Sequence, residues 1–95
     1  MAKLKPSGVT LDQAEALALQ GLTFLASDAQ RLSRFLSLTG TDPSDLKSWA
    51  ENLHIQAAVL DHLLSDESLL LVFAAEAGVA PEAVAPAQAI LARGT

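Results

Sequence analysis

Signals that start and stop α-helices recur at short intervals along this chain. They are capping-box pairs, prolines at first helical positions and glycines at helix ends: Thr10/Gln13, Ser27/Gln30, Gly40, Asp42-Pro43, Ser65, Gly78 and Pro81. Between them, 18 Ala and 18 Leu among 95 residues supply strong helix formers. The β-branched and aromatic residues that favour strands are scarce. The sequence therefore predicts an all-α fold made of short helices.

Apolar residues at helical spacing place these helices over about 11–26, from Ser27 or Asp28 to 38, and over 43–51, 55–64, 66–77 and 81–92. The helix over 66–77 is apolar on most of its circumference, which is typical of a helix buried on all sides. We therefore expect a compact bundle of five or six short helices with this fifth helix at its centre. Gly21 predicts a close helix crossing, and Pro86 predicts a kink in the last helix.

Composition predicts one domain and no membrane segment. Apolar residues make up 51% of the chain and mean hydropathy is +0.32, which excludes global disorder. We expect a flexible N-terminal segment over 1–9 and a single helical domain over 10–95, held together by packing alone because there is no cysteine. The longest uninterrupted apolar run, residues 69–75, is far shorter than the ~20 residues that span a bilayer. Lys3 and Lys5 are followed by Pro6 rather than by an apolar signal segment, so we expect a cytoplasmic protein.

Acidic residues dominate the second half of the chain. The net charge is −5, and no Lys or Arg occurs from Ser48 to Ala92. A surface that binds phosphates needs the opposite balance. This distribution disfavours nucleic acid as a partner and is typical of an apolar protein kept soluble by acidic side chains.

Three stretches resemble a known family: residues 14–20, residues 34–40 and above all residues 59–71, with the run to Gly78 as the specific part. They are similar to an uncharacterised bacterial family of short all-helical proteins catalogued as a domain of unknown function, number 3572. The similarity extends from about Thr10 to Ala92. The resemblance implies a small bacterial helical protein, and it implies no activity and no site residues.

The densest polar group is Asp61, His62, Asp66 and Glu67. Histidine with carboxylates one helical turn away can bind a divalent metal or act as an acid–base pair. The same residues can serve structure alone, since acidic residues at a helix start and a histidine in a last turn both complement the helix dipole. The structural interpretation is favoured, with Ser65 as the expected cap of the helix that follows, and we assign neither catalytic nor metal-binding residues.

Two further patterns are candidates for partner contacts. Arg31 and Arg34 share one face of the second helix and could hold a carboxylate or phosphate of a partner, and Trp49 could anchor an interface or lie half-buried. The stretch over 69–92 also resembles a helix-turn-helix, but its second helix lacks basic residues before Arg93. An ordinary corner between two helices is therefore the favoured interpretation.

These observations favour a non-enzymatic protein-interaction or homo-oligomerising domain that uses no cofactor. The partner is expected to be another protein or a second copy of the chain, with homo-oligomerisation favoured, and neither nucleic acid nor a membrane. The alternative is a helix-turn-helix-like regulator that binds nucleic acid through residues 69–92.

Overall fold

The computed structural model of the protein describes residues 9–94, and helices occupy most of this range. The α-helices are α1 (Leu11–Ala26), α2 (Ala29–Thr39), α3 (Leu53–Leu64), α4 (Glu67–Ala77) and α5 (Val84–Arg93). Two 3₁₀ helices, Pro43–Glu51 and Pro81–Ala83, precede α3 and α5. Because residues 9–94 contain no strand, the predicted all-α bundle of five or six short helices is confirmed. The flexible segment predicted over 1–9 lies outside the described residues except for Val9, which is buried in the core.

Side-chain caps and glycines set most helix ends where the sequence predicts them. The capping box at Thr10 and Gln13 is present with both of its hydrogen bonds. Of the two candidate N-caps of α2, Ser27 and Asp28, the structure shows that Asp28 accepts the capping hydrogen bonds. Gly40 and Gly78 end α2 and α4 with φ of 70° and 69°, a left-handed conformation that glycine adopts without steric cost.

The middle of the chain differs in detail from the prediction. The helix over 43–51 is a 3₁₀ helix, and Ser48 within it has non-helical backbone angles. The next helix begins at Leu53 instead of 55, because the Asn52 side chain accepts a hydrogen bond from the Ile55 N–H and caps it. Residues 52–54, which the sequence leaves as a loop or kink between two helices, therefore form the cap and the first two residues of α3.

Pro86 does not kink a continuous last helix. The chain forms a 3₁₀ helix at Pro81–Ala83 and α5 starts only at Val84, so Pro86 lies in the first turn of α5. A first-turn residue has no intrahelical hydrogen bond to lose, and proline is tolerated there.

Gly21 marks a close helix crossing, as the sequence predicts. A β-carbon at this position would lie 3.0 Å from Val59 Cγ1 and 3.2 Å from Leu63 Cδ1. The backbone of α1 therefore lies directly on the side chains of α3. This contact joins the two helices through the buried core.

The centre of the bundle is α3, so the prediction that the helix over 66–77 is central is wrong. Seven of the twelve residues of α3 are buried, whereas α4 buries only Phe73 and Ala74 among its eleven. The other four α-helices all pack against α3. A helix that is apolar all round can be buried on any side. Its sequence does not show on how many sides other helices pack, and α4 has neighbouring helices on one side only. The core draws side chains from all five helices: Leu17, Leu25, Phe35, Val59, Leu60, Leu63, Phe73, Val84 and Leu91.

A double-mutant cycle tests the crossing at Gly21. Gly21→Ala should gain about 1 kcal/mol of helix propensity. It should nevertheless destabilise the protein, because the new methyl group overpacks the buried Val59 and Leu63 side chains, at a typical cost of about 1–3 kcal/mol. Val59→Ala alone should also destabilise through the cavity that it leaves. Urea denaturation should show the double variant to be more stable than the sum of the single effects predicts, and strict additivity would contradict the crossing.

Candidate functional site

The structure brings two separate groups of predicted site residues around one polar cavity. Arg31 and Arg34 reach it from α2, and His62, Asp66 and Glu67 reach it from the end of α3 and the start of α4. The cavity measures about 520 Å³, and Leu38, Ser65 and Leu69 complete its wall. We call this the α2–α4 cavity.

Two of the predicted residues lie elsewhere. Asp61 lines a smaller groove of about 220 Å³ between α3 and α5, together with His54 and Gln88. Trp49 is half-buried in the 3₁₀ helix and packs against the core. Its carbonyl oxygen accepts a hydrogen bond of 2.9 Å from Gln56 Nε2. The structure therefore shows Trp49 packed into the domain and separates Asp61 from the rest of its cluster.

His62 forms the buried wall of the α2–α4 cavity. Its side chain is 8% exposed, and the ring stands edge-on to Phe35 with 5.4 Å between the ring centroids. Burial lowers the pKa of His62 below its usual value of 6.5, and the Arg34 charge lowers it further. The carboxylates of Asp66 and Asp61 act in the opposite direction and do not overcome these effects. The neutral imidazole, which has one donor and one acceptor nitrogen, is therefore the favoured form.

The turn between α3 and α4 shows which residue caps α4. Asp66 accepts a hydrogen bond of 3.2 Å from the Leu69 N–H and is the N-cap of α4. The expectation that Ser65 fills this role is wrong, because the Ser65 hydroxyl donates to the His62 carbonyl oxygen at 2.6 Å and closes the end of α3. Within the part of the chain that the structure describes, no three His, Asp or Glu side chains are grouped as a metal site requires.

Arg31 and Arg34 differ in how firmly they are held. The Arg31 guanidinium carbon lies 4.5 Å from the centroid of the Phe24 ring, which is the geometry of a cation–π contact. Phe24 in turn packs against Phe73 with 5.5 Å between ring centroids. Arg34 follows three residues after Arg31, on the same side of α2, and its side chain is exposed.

An apolar groove lies between α1 and α4. It measures about 400 Å³, and its wall includes Phe24, Phe73 and Ala77 together with the half-exposed Leu19. On the neighbouring surface of α4, Leu71 is 49% exposed and Val72 is 40% exposed. Sequence reasoning did not locate this surface, because a helix that is apolar all round does not reveal which side stays uncovered.

The corner between α4 and α5 has the angle of a helix-turn-helix but lacks the basic surface of a DNA-binding one. Helix α4 and the segment Pro81–Arg93 are inclined by 108° across Gly78. The inner side of α5 is buried through Val84, Ala87 and Leu91, and its only basic residue is Arg93 in the last turn. No single helix among residues 9–94 has the length and apolar character to cross a membrane, and this bent pair meets those criteria only when its two halves are taken together.

Comparison with known proteins adds a family without an activity. The family model described as "Protein of unknown function (DUF3572)" matches residues 11–94. The chain belongs to this family. No curated protein and no solved structure matches the chain. Family membership therefore assigns no role to any residue of the α2–α4 cavity or of the α1–α4 groove.

The lowered pKa of His62 predicts a specific pH dependence of stability. Because the folded state resists protonation of His62, the unfolded state binds more protons as the pH falls below 6.5. Stability should therefore be full above about pH 7.5 and should decrease towards pH 5, by up to about 1.4 kcal/mol per pH unit for one proton. Urea unfolding across this range should show that His62→Gln removes most of the slope.

The matched control is His54→Gln, which removes the exposed histidine and should keep the pH dependence of the parent. A parent protein whose stability rises as the pH falls from 7.5 to 5 would contradict the assignment. So would a His62→Gln variant with an unchanged slope.

Proposed function

We propose that this chain is a cytoplasmic, non-enzymatic protein-interaction domain and that α4 carries its binding surface. The proposal rests on α4 itself, which is apolar on most of its circumference yet buries only Phe73 and Ala74. Its outer side presents Leu71, Val72 and Ala75 to solvent. A helix with this composition is normally covered on both sides, and a continuous exposed apolar surface on a small domain is typical of an interface.

The groove between α1 and α4 extends this surface. Val72 precedes Glu76 by one helical turn, and Glu76 lines the groove, so the exposed face of α4 continues into it. The buried rings of Phe24 and Phe73 form the floor of the groove, and Leu19 provides an apolar wall on α1. The remaining lining residues are Gln20, Thr23, Ser27, Glu76 and Ala77. An apolar depression beside a helix suits an amphipathic helix of a partner, which inserts side chains spaced three and four residues apart.

Charge favours a partner helix with basic flanks. The acidic residues Glu67 and Glu76 lie near the two ends of α4, and no Lys or Arg occurs between Ser48 and Ala92. An antiparallel pairing of two α4 helices, centred between Leu71 and Val72, would set Glu67 of each copy opposite Glu76 of the other. Like charges in these positions oppose self-association through α4, whereas lysine or arginine on a partner would complement them.

The second candidate is nucleic-acid binding through the α4–α5 corner. The 108° inclination of this pair is the observation in its favour. Its weakness is electrostatic, because phosphate contacts supply most of the affinity for duplex DNA and α5 offers only Arg93. We therefore place it behind the interaction domain.

Fluorescence anisotropy with a model peptide tests the proposal. The probe is a labelled helix of about 18 residues, five turns, with leucines on one face and lysines flanking them. A matched peptide carries glutamates in place of the lysines. We expect the basic peptide to bind, and Leu71→Ser to weaken its binding by about tenfold, as expected when an anchoring side chain is lost. Leu38→Ser is the matched control, since it removes a leucine that is 66% exposed on α2, and it should leave the affinity unchanged.

Three results would contradict the proposal in different ways. Equal effects of Leu71→Ser and Leu38→Ser would show that α4 is not the binding surface. A dimer that is detected by analytical ultracentrifugation and lost in Leu71→Ser would show that α4 is the interface, but that its partner is a second copy of the chain and not a basic helix. Binding of labelled duplex DNA that weakens steeply as salt rises would favour the second candidate.

A further inference from the structure

The α2–α4 cavity has a balanced set of charges, of which only Glu67 also belongs to the proposed interaction surface. Its wall carries two guanidinium groups, from Arg31 and Arg34, and two carboxylates, from Asp66 and Glu67. Its volume of about 520 Å³ lies within the range of small-molecule sites. A cavity with charges of both signs favours a ligand that also carries both.

Both arginines of the cavity have guanidinium groups that can bind a carboxylate. Stacking of Arg31 on Phe24 at 4.5 Å restricts the plane of its guanidinium and leaves the N–H groups at the edge of that plane available. Among the residues that the structure describes, neither Arg31 nor Arg34 pairs with a carboxylate within 4.0 Å. Two unpaired guanidinium groups on one side of a helix can hold the two oxygens of a ligand carboxylate.

The two carboxylates of the cavity repel a simple anion. One oxygen of Asp66 accepts the capping hydrogen bond from Leu69, and the other oxygen stays available. Glu67 is exposed and accepts no hydrogen bond from the described side chains. These two carboxylates would disfavour phosphate or sulfate and would attract an ammonium group.

His62 gives the cavity a polar inner wall. Its side chain is more than nine-tenths buried and lines the cavity, and neither ring nitrogen hydrogen-bonds to any group within residues 9–94. Among these residues Gln56 Oε1 is the only side-chain nitrogen or oxygen atom that is both shielded from solvent and unpaired, so the His62 nitrogens reach the open space of the cavity. A polar ligand that fills this space can hydrogen-bond to them.

We propose that the α2–α4 cavity binds a small zwitterion of the α-amino acid or dipeptide class. The ligand carboxylate lies against Arg31 and Arg34, and its ammonium group lies against Glu67 and the free oxygen of Asp66. Leu38 and Leu69 provide the apolar wall for a ligand side chain. Arg31, Arg34 and His62 belong to the cavity and not to the outer side of α4, and only Glu67 is shared, so failure of one proposal does not imply failure of the other.

Isothermal titration calorimetry with four probes tests the site. They are the dipeptide alanyl-leucine, its N-acetyl derivative, its C-terminal amide and inorganic phosphate. Alanyl-leucine should bind, whereas each derivative lacks one charge and should bind at least about tenfold more weakly, in line with the loss of one charge-assisted hydrogen bond. Phosphate should not bind detectably.

Matched variants locate the binding within the cavity. Arg34→Gln and Glu67→Gln each remove one charge, of opposite sign, and should each weaken alanyl-leucine binding about tenfold or more. Both side chains are exposed, so the variants should fold. Arg93→Gln and Glu51→Gln remove the same charges outside the cavity and should bind like the parent.

Several outcomes would overturn the proposal. Equal binding of alanyl-leucine and its N-acetyl derivative, or tighter binding of phosphate, would show an anion site in place of a zwitterion site. Absence of heat up to about 10 mM alanyl-leucine, tenfold above a millimolar Kd, would show that the cavity does not take this class of ligand. Unchanged binding in both Arg34→Gln and Glu67→Gln would place the dipeptide elsewhere on the protein.

Discussion

The approach of the α1 backbone onto α3 at Gly21 is the contact on which the arrangement of the bundle depends. Without a side chain at this position, Val59 and Leu63 reach the α1 backbone itself. Both are fully buried, so any larger residue would have to displace core side chains. The crossing sets α3 against α1, and α5 packs against both of them.

Two surfaces follow from this arrangement. Because α3 occupies the centre, α4 is covered on one side only, and its outer apolar side chains remain exposed beside the α1–α4 groove. Because α2 packs against α3, its arginines lie beside the turn that joins α3 to α4. The apolar surface and the α2–α4 cavity are therefore consequences of one packing order, and the Phe73–Phe24–Arg31 stack connects their walls.

Local features of the fold could be predicted from the sequence because local interactions decide them. The capping box at Thr10 depends on residues only three positions apart, and the glycine ends at Gly40 and Gly78 depend on backbone conformation. Ser65 and Asp66 show the limit of this reasoning, because either side chain can cap a helix and only the geometry of the turn distinguishes them. The close crossing at Gly21 could be predicted because glycine lowers the stability of a helix. Its presence in the middle of α1 therefore indicates a place where close packing leaves no room for a side chain.

Long-range features could not be predicted in the same way. The apolar residues of α4 carry no information about how many neighbours surround it, so its position at the edge of the bundle was missed. Arg34 and His62 are far apart in sequence, and only the packing of α2 against α3 brings them to one cavity. Similarly, the exposure of Leu71 depends on which neighbouring helices are present, which periodicity does not specify.

Native-state hydrogen exchange measures the relative stability of α3 and α4 directly. If α3 is the centre of the fold and α4 its edge, the amides of Leu60 and Leu63 should exchange only through global unfolding. Those of Leu71 and Val72 should exchange through local opening at a lower free energy. Equal protection of the two helices, or greater protection of α4, would contradict the packing order on which both proposed sites depend.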